Sequence, residues 1–395
     1  MLTAAGLALV AIVGVVVLVS SSGSASPGRL YALPSRLPAG PAGAVIRSEV
    51  LADPPAGAKA WKILYRSRSY AGDPTAVSGL LFVPTTAAPA GGRKLVAFTH
   101  GTTGVASGCA PSNIGPSYWS AIDGLARFLQ AGDVVVAPDY QGLGTPAPHP
   151  YLVGDAEAAA TLDEVRAARQ FAPAHASPRF VVWGASQGGQ AALFTGQQAT
   201  SYAPELKLLG VAAAAPATDL QELFEANRNT PFGLILSAYT IDTWSQVYPQ
   251  LHLDQVVTRA AQPIVKRLAK ICITERKGFL AVGVLQLALK LSYLKQLPWE
   301  TEPWKGVIAD NTPGRTEIRA PIIIAQGDAD PLVRPAINAA FARRLCSDGE
   351  RVDYRTYPGV MHVDAGPKTA ADVAAWIAQR FAGAAAPSTC AGSTA

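Results

Sequence analysis

Apolar positions along this chain follow two different rhythms. The runs Leu95–Thr99, Val134–Ala137, Phe180–Trp183, Leu208–Ala214 and Ile322–Ala325 are short, largely apolar and bounded by turn residues. A strand of a parallel sheet reads this way, because helices cover both of its faces. Between these runs the apolar positions recur at helical spacing. Ala158, Leu162 and Val165 lie on one face of a helix that Asp155 can cap and that extends to about Phe171. Gln190–Ala199 fits a helix after the third strand, and Lys368–Phe381 fits a terminal one carrying Val373, Ile377 and Phe381. Alternating strands and helices predict an α/β fold, a three-layer sandwich around a mostly parallel central sheet.

Residues 217–310 break the alternation. They hold helical patterns, best at Leu220–Ala226, Leu251–Ala269 and Phe279–Leu294, and no convincing parallel strand. Trp244, Trp299 and Trp304 add to an apolar composition. The segment reads as a helical cap inserted between two strand ends that carry chemistry, with extra core for a large domain as the plainer alternative. The core then comprises residues 43–216 and 311–395.

The N-terminus has a pattern of its own. Leu7–Val19 is an almost unbroken apolar run followed by small residues, shorter than the roughly 18 residues of a spanning helix. Residues 1–25 therefore read as a secretory signal, with cleavage expected between Gly23 and Ser26, although no Lys or Arg precedes the run. A retained membrane anchor is the alternative. Residues 26–42, rich in Pro, Gly and Ser, read as a linker.

Composition narrows the function classes. Of 395 residues, 49% are hydrophobic and 15% charged, enough apolar material for a large core and too little charge for disorder. The net charge of +5 comes from scattered Lys and Arg, so a nucleic-acid partner is not expected. Transient contact with a lipid interface stays open, and a monomer is expected. The four cysteines, Cys109, Cys272, Cys346 and Cys390, form no CxxC pair, which argues against zinc or redox motifs. In an exported chain an even count suggests two disulfides, and spacing alone leaves three connectivities open.

The chemistry is concentrated at strand ends. Gly184, Ala185, Ser186, Gln187 and Gly188 follow a strand and precede a helix, the context of a G-x-S-x-G nucleophile elbow. A serine hydroxyl is a weak nucleophile near neutral pH and needs a base, itself oriented by a carboxylate. On such an elbow the acid and then the base follow the serine in the chain. Of five histidines, His100, His149 and His175 precede Ser186, and His252 falls in a predicted cap helix. His362, in the loop after the run Val352–Tyr357, is the base by this reasoning. The acid comes from the loop after Ile322–Ala325, where Asp330 is preferred and Asp328 is taken as a turn residue. Asp364 is expected to cap the next helix. The negative charge formed on the attacked carbonyl needs fixed donors. Gln187 supplies one backbone N–H, and the loop His100–Gly104 supplies the other, from Thr103 in preference to Thr102. His100 itself is expected to brace that loop.

With these residues in place, the chain resembles the secretory lipase family of the Candida lipase A type. The resemblance rests on His100–Ser112 (HGTTGVASGCAPS), Pro138–Gly144 (PDYQGLG), Gly184–Gly189 (GASQGG), Gly327–Val333 (GDADPLV) and Gly359–His362 (GVMH). It implies an α/β-hydrolase core with a large helical lid and the triad Ser186, Asp330 and His362. It places the oxyanion residue at Thr103, counted back from Cys109, where a fungal relative carries an acidic residue. It also implies the disulfides Cys109–Cys272 and Cys346–Cys390, the first tying the oxyanion loop's flank to the cap. The C-terminal flap of the fungal lipases is expected to be shortened.

The leading expectation is hydrolysis of a small-molecule or lipid carboxylic ester through an acyl-enzyme, with no metal or organic cofactor. A lipase and a short-chain esterase fit almost equally. An acyltransferase would use the same triad and pass the acyl group to an alcohol. A peptidase and a non-catalytic binding protein on the same fold are weaker readings, the latter because all three catalytic residues are present.

Overall fold

The computed structural model describes residues 28–119, 122–274, 283 and 285–390. The apolar run Leu7–Val19 lies outside them. Nine strands form one sheet: β1 (Val45–Val50), β2 (Ala58–Arg68), β3 (Pro74–Pro84), β4 (Arg93–Thr99), β5 (Val134–Pro138), β6 (Ala176–Ala185), β7 (Lys207–Ala214), β8 (Ile322–Gly327) and β9 (Val352–Tyr357). Their order is β1-β2-β3-β5-β4-β6-β7-β8-β9. From β5 to β9 every neighbouring pair is parallel, whereas β1, β2, β3 and β5 pair antiparallel.

The apolar runs are central strands, and their successive side chains divide between the two faces. Leu95, Val134, Phe180, Val182, Val211, Ile322 and Ile324 join one core cluster. Val96, Val135, Val181, Trp183, Ala212, Ile323 and Ala325 join the other. The helices Gly154–Gln170, Gln187–Tyr202 and Pro335–Ser347 contribute to the first cluster, and Leu125–Gln130 and Ala365–Phe381 to the second. This is the three-layer sandwich expected.

Three differences from the sequence expectations are local. Asp155 lies inside the first turn of its helix, whose N-cap is Val153. Residues 28–42 carry no helix or strand, as a linker would, yet Leu30 and Tyr31 are buried against Leu64 and Ala76. Asp364 stands at an N-cap position but makes no capping bond, its carboxylate pairing with Lys368 at 3.1 Å instead.

Between β7 and β8 the chain forms a helical insertion with a core of its own, including Leu223, Phe224, Trp244, Trp299 and Trp304. Its longest described helix, Pro231–Val247, was not singled out by sequence pattern. Thr230 caps it by accepting the Gly233 N–H at 3.1 Å, and Pro231 opens it, the usual start signal. The expected helix Leu251–Ala269 is instead two, Leu253–Val256 and Gln262–Leu268. Pro263 lacks an N–H and fits the first turn of the second helix, and Val257 leaves the first to bridge Leu294. Phe279–Leu294 falls partly outside the described residues; 285–289 are helical.

One buried acid makes a test of the core. Glu164 is fully buried between its helix and β3, and neither carboxyl oxygen has a hydrogen-bond partner among the described residues. A Cβ on Gly79 would lie 2.3 Å from its Oε1, so the space exists because residue 79 is glycine. Burial, with Asp139 adding to it, holds its pKa well above the usual carboxylate range. The folded state therefore keeps a proton that the unfolded state releases above about pH 4.5, and stability falls as pH rises toward the folded value. Glu164→Met is expected to stabilise the protein by roughly 1–3 kcal/mol at about pH 8. The gain in urea unfolding should shrink at about pH 5.

Candidate active site

The C-terminal ends of β4, β6, β7 and β8 lie along one edge of the sheet. Thr99 is level with Gly184, Gly184 with Ala213, and Ala213 with Ile324. The strand order reverses at β4, so the crevice between β4 and β6 is the switch point where ligands of open α/β sheets bind.

Ser186 stands there, between β6 and the helix that begins at Gln187. Its φ of 58° and ψ of −120° lie in a region side chains rarely adopt. The turn is held because Ser186 N–H donates to Ala214 O at 2.9 Å. It is also held by Thr99, whose Oγ1 donates to Gly188 O at 2.7 Å. A Cβ on Gly188 would sit 2.0 Å from the Thr99 carbonyl oxygen, so that close approach requires glycine.

The loops after β8 and β9 bring the other two residues to the serine. His362 Nε2 lies 2.9 Å from Ser186 Oγ, and His362 Nδ1 lies 2.8 Å from Asp330 Oδ2. Asp330 is buried, and its Oδ1 accepts the N–H groups of Leu332 and Val333, both at 2.9 Å. Gln326 Nε2 reaches Oδ2 at 3.4 Å, and Asn338 holds Gln326 through a 2.6 Å bond to its Oε1. Sequence reading missed Gln326 and Asn338, because an amide in a strand or helix carries no signal of its partner. Asp328 is exposed and accepts the Gly359 N–H at 2.7 Å, joining the two loops as a turn residue.

The loop after β4 faces the serine from the other side. Thr102 Oγ1 is 2.7 Å from Tyr151 Oη, while Thr103 Oγ1 is buried without a partner among the described residues. Thr103 O accepts the Ile273 N–H at 3.0 Å, and the neighbouring disulfide is Cys109–Cys272. The second disulfide is Cys346–Cys390. His100 is buried, stacks on Tyr140 and places its ring nitrogens 2.7 Å from Gly101 O and 3.2 Å from Asp139 O. Burial pulls its pKa down to about 4, so it is a neutral brace at pH 7.

The helical insertion covers the crevice. Tyr151, Ser186 and Gln187 share a cavity of about 20 Å³ with Leu223, Phe224 and Leu236 of the insertion. That volume admits about one water and no acyl chain. Trp244 ties the insertion down by donating from Nε1 to Tyr151 O at 2.7 Å.

The family model described as Secretory lipase matches residues 121–389. The chain belongs to the secretory lipase family. It is a hydrolase of lipase type, and its curated relatives include proteins described as lipases. A Mycobacterium tuberculosis protein described as "Probable inactive lipase MT1628" is 26% identical over 82% of this chain and 74% of its own length. Candida albicans Lipase 1 is 29% identical over 54% of this chain, which spans about half (47%) of that lipase. Among solved structures, Candida antarctica lipase A in its closed state superposes with a TM-score of 0.77 at 20% identity, covering 94% of this chain and 90% of that one. The rice cell wall degrading esterase LipA of Xanthomonas oryzae gives 0.71 at 20% identity, with 87% and 98% covered. These likenesses identify the fold as that of the α/β-hydrolases.

Proposed function

We propose that the chain is a secreted serine carboxylic ester hydrolase that works through an acyl-enzyme. The observation that carries this reading is the unbroken hydrogen-bonded series from Ser186 Oγ through His362 to the buried Asp330 carboxylate. Ser186 Oγ attacks the ester carbonyl while His362 Nε2 takes its proton, and the imidazolium formed is stabilised through Nδ1 by Asp330. His362 then returns the proton to the departing alcohol. Water, deprotonated by the same nitrogen, releases the acid.

The oxyanion is received by the Gln187 N–H, at the start of a helix where backbone donors have no intrahelical acceptor, and by the Thr102–Thr103 segment. The bond between Thr102 and Tyr151, and a Thr103 hydroxyl without a partner among the described residues, favour Thr103 as the side-chain donor. Residues 217–310 act as the cap, and its apolar lining suits an acyl chain once it moves off the serine. Residues 1–25 direct export, in keeping with the family and the two disulfides. The mycobacterial relative is described as probably inactive, so activity here rests on this chain's own geometry.

The test is hydrolysis of p-nitrophenyl esters from acetate to palmitate by residues 27–395. Rates that rise with acyl length support a lipase. A maximum at acetate makes the protein a short-chain esterase, and no hydrolysis at any length overturns the reading.

A further inference from the structure

Behind the nucleophile lies an acid that the mechanism above does not use. Glu157, in the first turn of the helix Gly154–Gln170, is fully buried. Its Oε1 accepts two bonds, from Gln187 Nε2 at 2.7 Å and from Leu152 N–H at 3.2 Å. Its Oε2 has no partner among the described residues. Both segments that would receive the oxyanion converge on this one group. Gln187 is held directly. The Thr102 hydroxyl meets Tyr151, the residue before Leu152, and Leu152 sits at a φ of 56° that a side chain adopts only under constraint.

We propose that Glu157 is a positioning residue for the oxyanion site: its buried carboxyl fixes the Gln187 side chain and the 151–152 turn, and so aims the donors on both sides of Ser186. The proposal rests on the ester-hydrolase reading above. It adds that Glu157 does this work as a neutral acid. Burial raises its pKa to about 8, against which the bonds from Gln187 and Leu152 act. Above that value a negative charge would appear behind the donors and repel the charge developing on the attacked carbonyl, so kcat falls.

The groups facing Glu157 leave the assignment clear. Tyr140 and Tyr151, from the loop after β5, are buried with pKa values held far above their ordinary one. His149, packed against those two tyrosines, is pulled down to about 3 by burial and is neutral throughout. Gln187 and Gln190, from the following helix, and Asn311, which accepts the Gly154 N–H, do not titrate.

The experiment compares wild type, Glu157→Gln and Glu157→Ala on p-nitrophenyl butyrate from about pH 6 to about pH 10, following released acid by titration. Glu157→Ala is expected to lose about 100-fold in kcat with KM changed less than about threefold. Glu157→Gln keeps the acceptor, so it should restore most of that loss and remove the wild-type fall in kcat centred near pH 8. A Glu157→Gln profile that retains the alkaline fall overturns the proposal, as does a folded Glu157→Ala with wild-type kcat. If Glu157→Ala does not fold, the Glu157→Gln profile decides alone. Labelling of Ser186 by a fluorophosphonate separates two kinds of failure. A labelled wild type with an unchanged Glu157→Gln profile overturns this inference only, whereas no labelling and no hydrolysis overturns the ester-hydrolase reading with it.

Discussion

Ser186→Ala is expected to lower kcat on any ester the protein accepts by on the order of 10⁵-fold, with KM little changed. Alanine removes Oγ and leaves the elbow intact, since the turn is held by the main-chain bond that residue 186 N–H donates to Ala214 O and by the Thr99 hydroxyl on Gly188 O. His362→Ala should cost nearly as much, because an unassisted hydroxyl is a poor nucleophile near neutral pH. The double variant should be scarcely worse than either single one, as groups that act as a unit lose their effect together. Steady-state rates of the three variants check this, with fluorophosphonate labelling as a second readout. Independent, multiplying losses would show that the serine and histidine do not work as one unit.

The second large effect is expected from Asp330→Asn, a loss in kcat on the order of 10⁴-fold. The carboxylate accepts from His362 Nδ1 on one oxygen and from two backbone N–H groups on the other. An asparagine keeps its carbonyl on those N–H groups, so the loop should hold its shape. Its NH2 then faces Nδ1 and selects the tautomer in which Nε2 carries the proton, which is the wrong one for taking a proton from Ser186. Asp328→Asn is the control. Its exposed side chain would still accept the Gly359 N–H, and kcat should stay within about threefold of wild type. A large loss at position 328 with none at 330 would exchange the two roles.

These residues could be read from the sequence because each carries a local signal. Ser186 sits among glycines that the close passage of β4 demands, and chain order left His362 as the base. The five apolar strands were legible because burial on both faces suppresses polar positions. The antiparallel strands β1, β2 and β3 were not singled out: β2 mixes buried and exposed positions, and the buried run of β3 is interrupted in sequence by Ser78 and Gly79. Within the insertion, apolar residues around every face of Pro231–Val247 blur the helical rhythm. Glu157 was invisible for a related reason. One acid on a helix reads as a solvated residue until the fold places Gln187 and Leu152 against it.

The two disulfides divide the chain into covalent circuits. The ring closed by Cys109 and Cys272 encloses Ser186, and the ring closed by Cys346 and Cys390 encloses His362. Asp330 lies in neither, on the single strand of chain that joins them. A backbone cut inside either ring leaves its two ends tethered through sulfur. A cut anywhere between Cys272 and Cys346 parts the nucleophile's ring from the base's ring, and only packing then keeps the triad assembled. Resistance to nicking is thus unevenly spread, and the connecting segment, which includes the later part of the insertion, is the link on which the site's covalent unity depends.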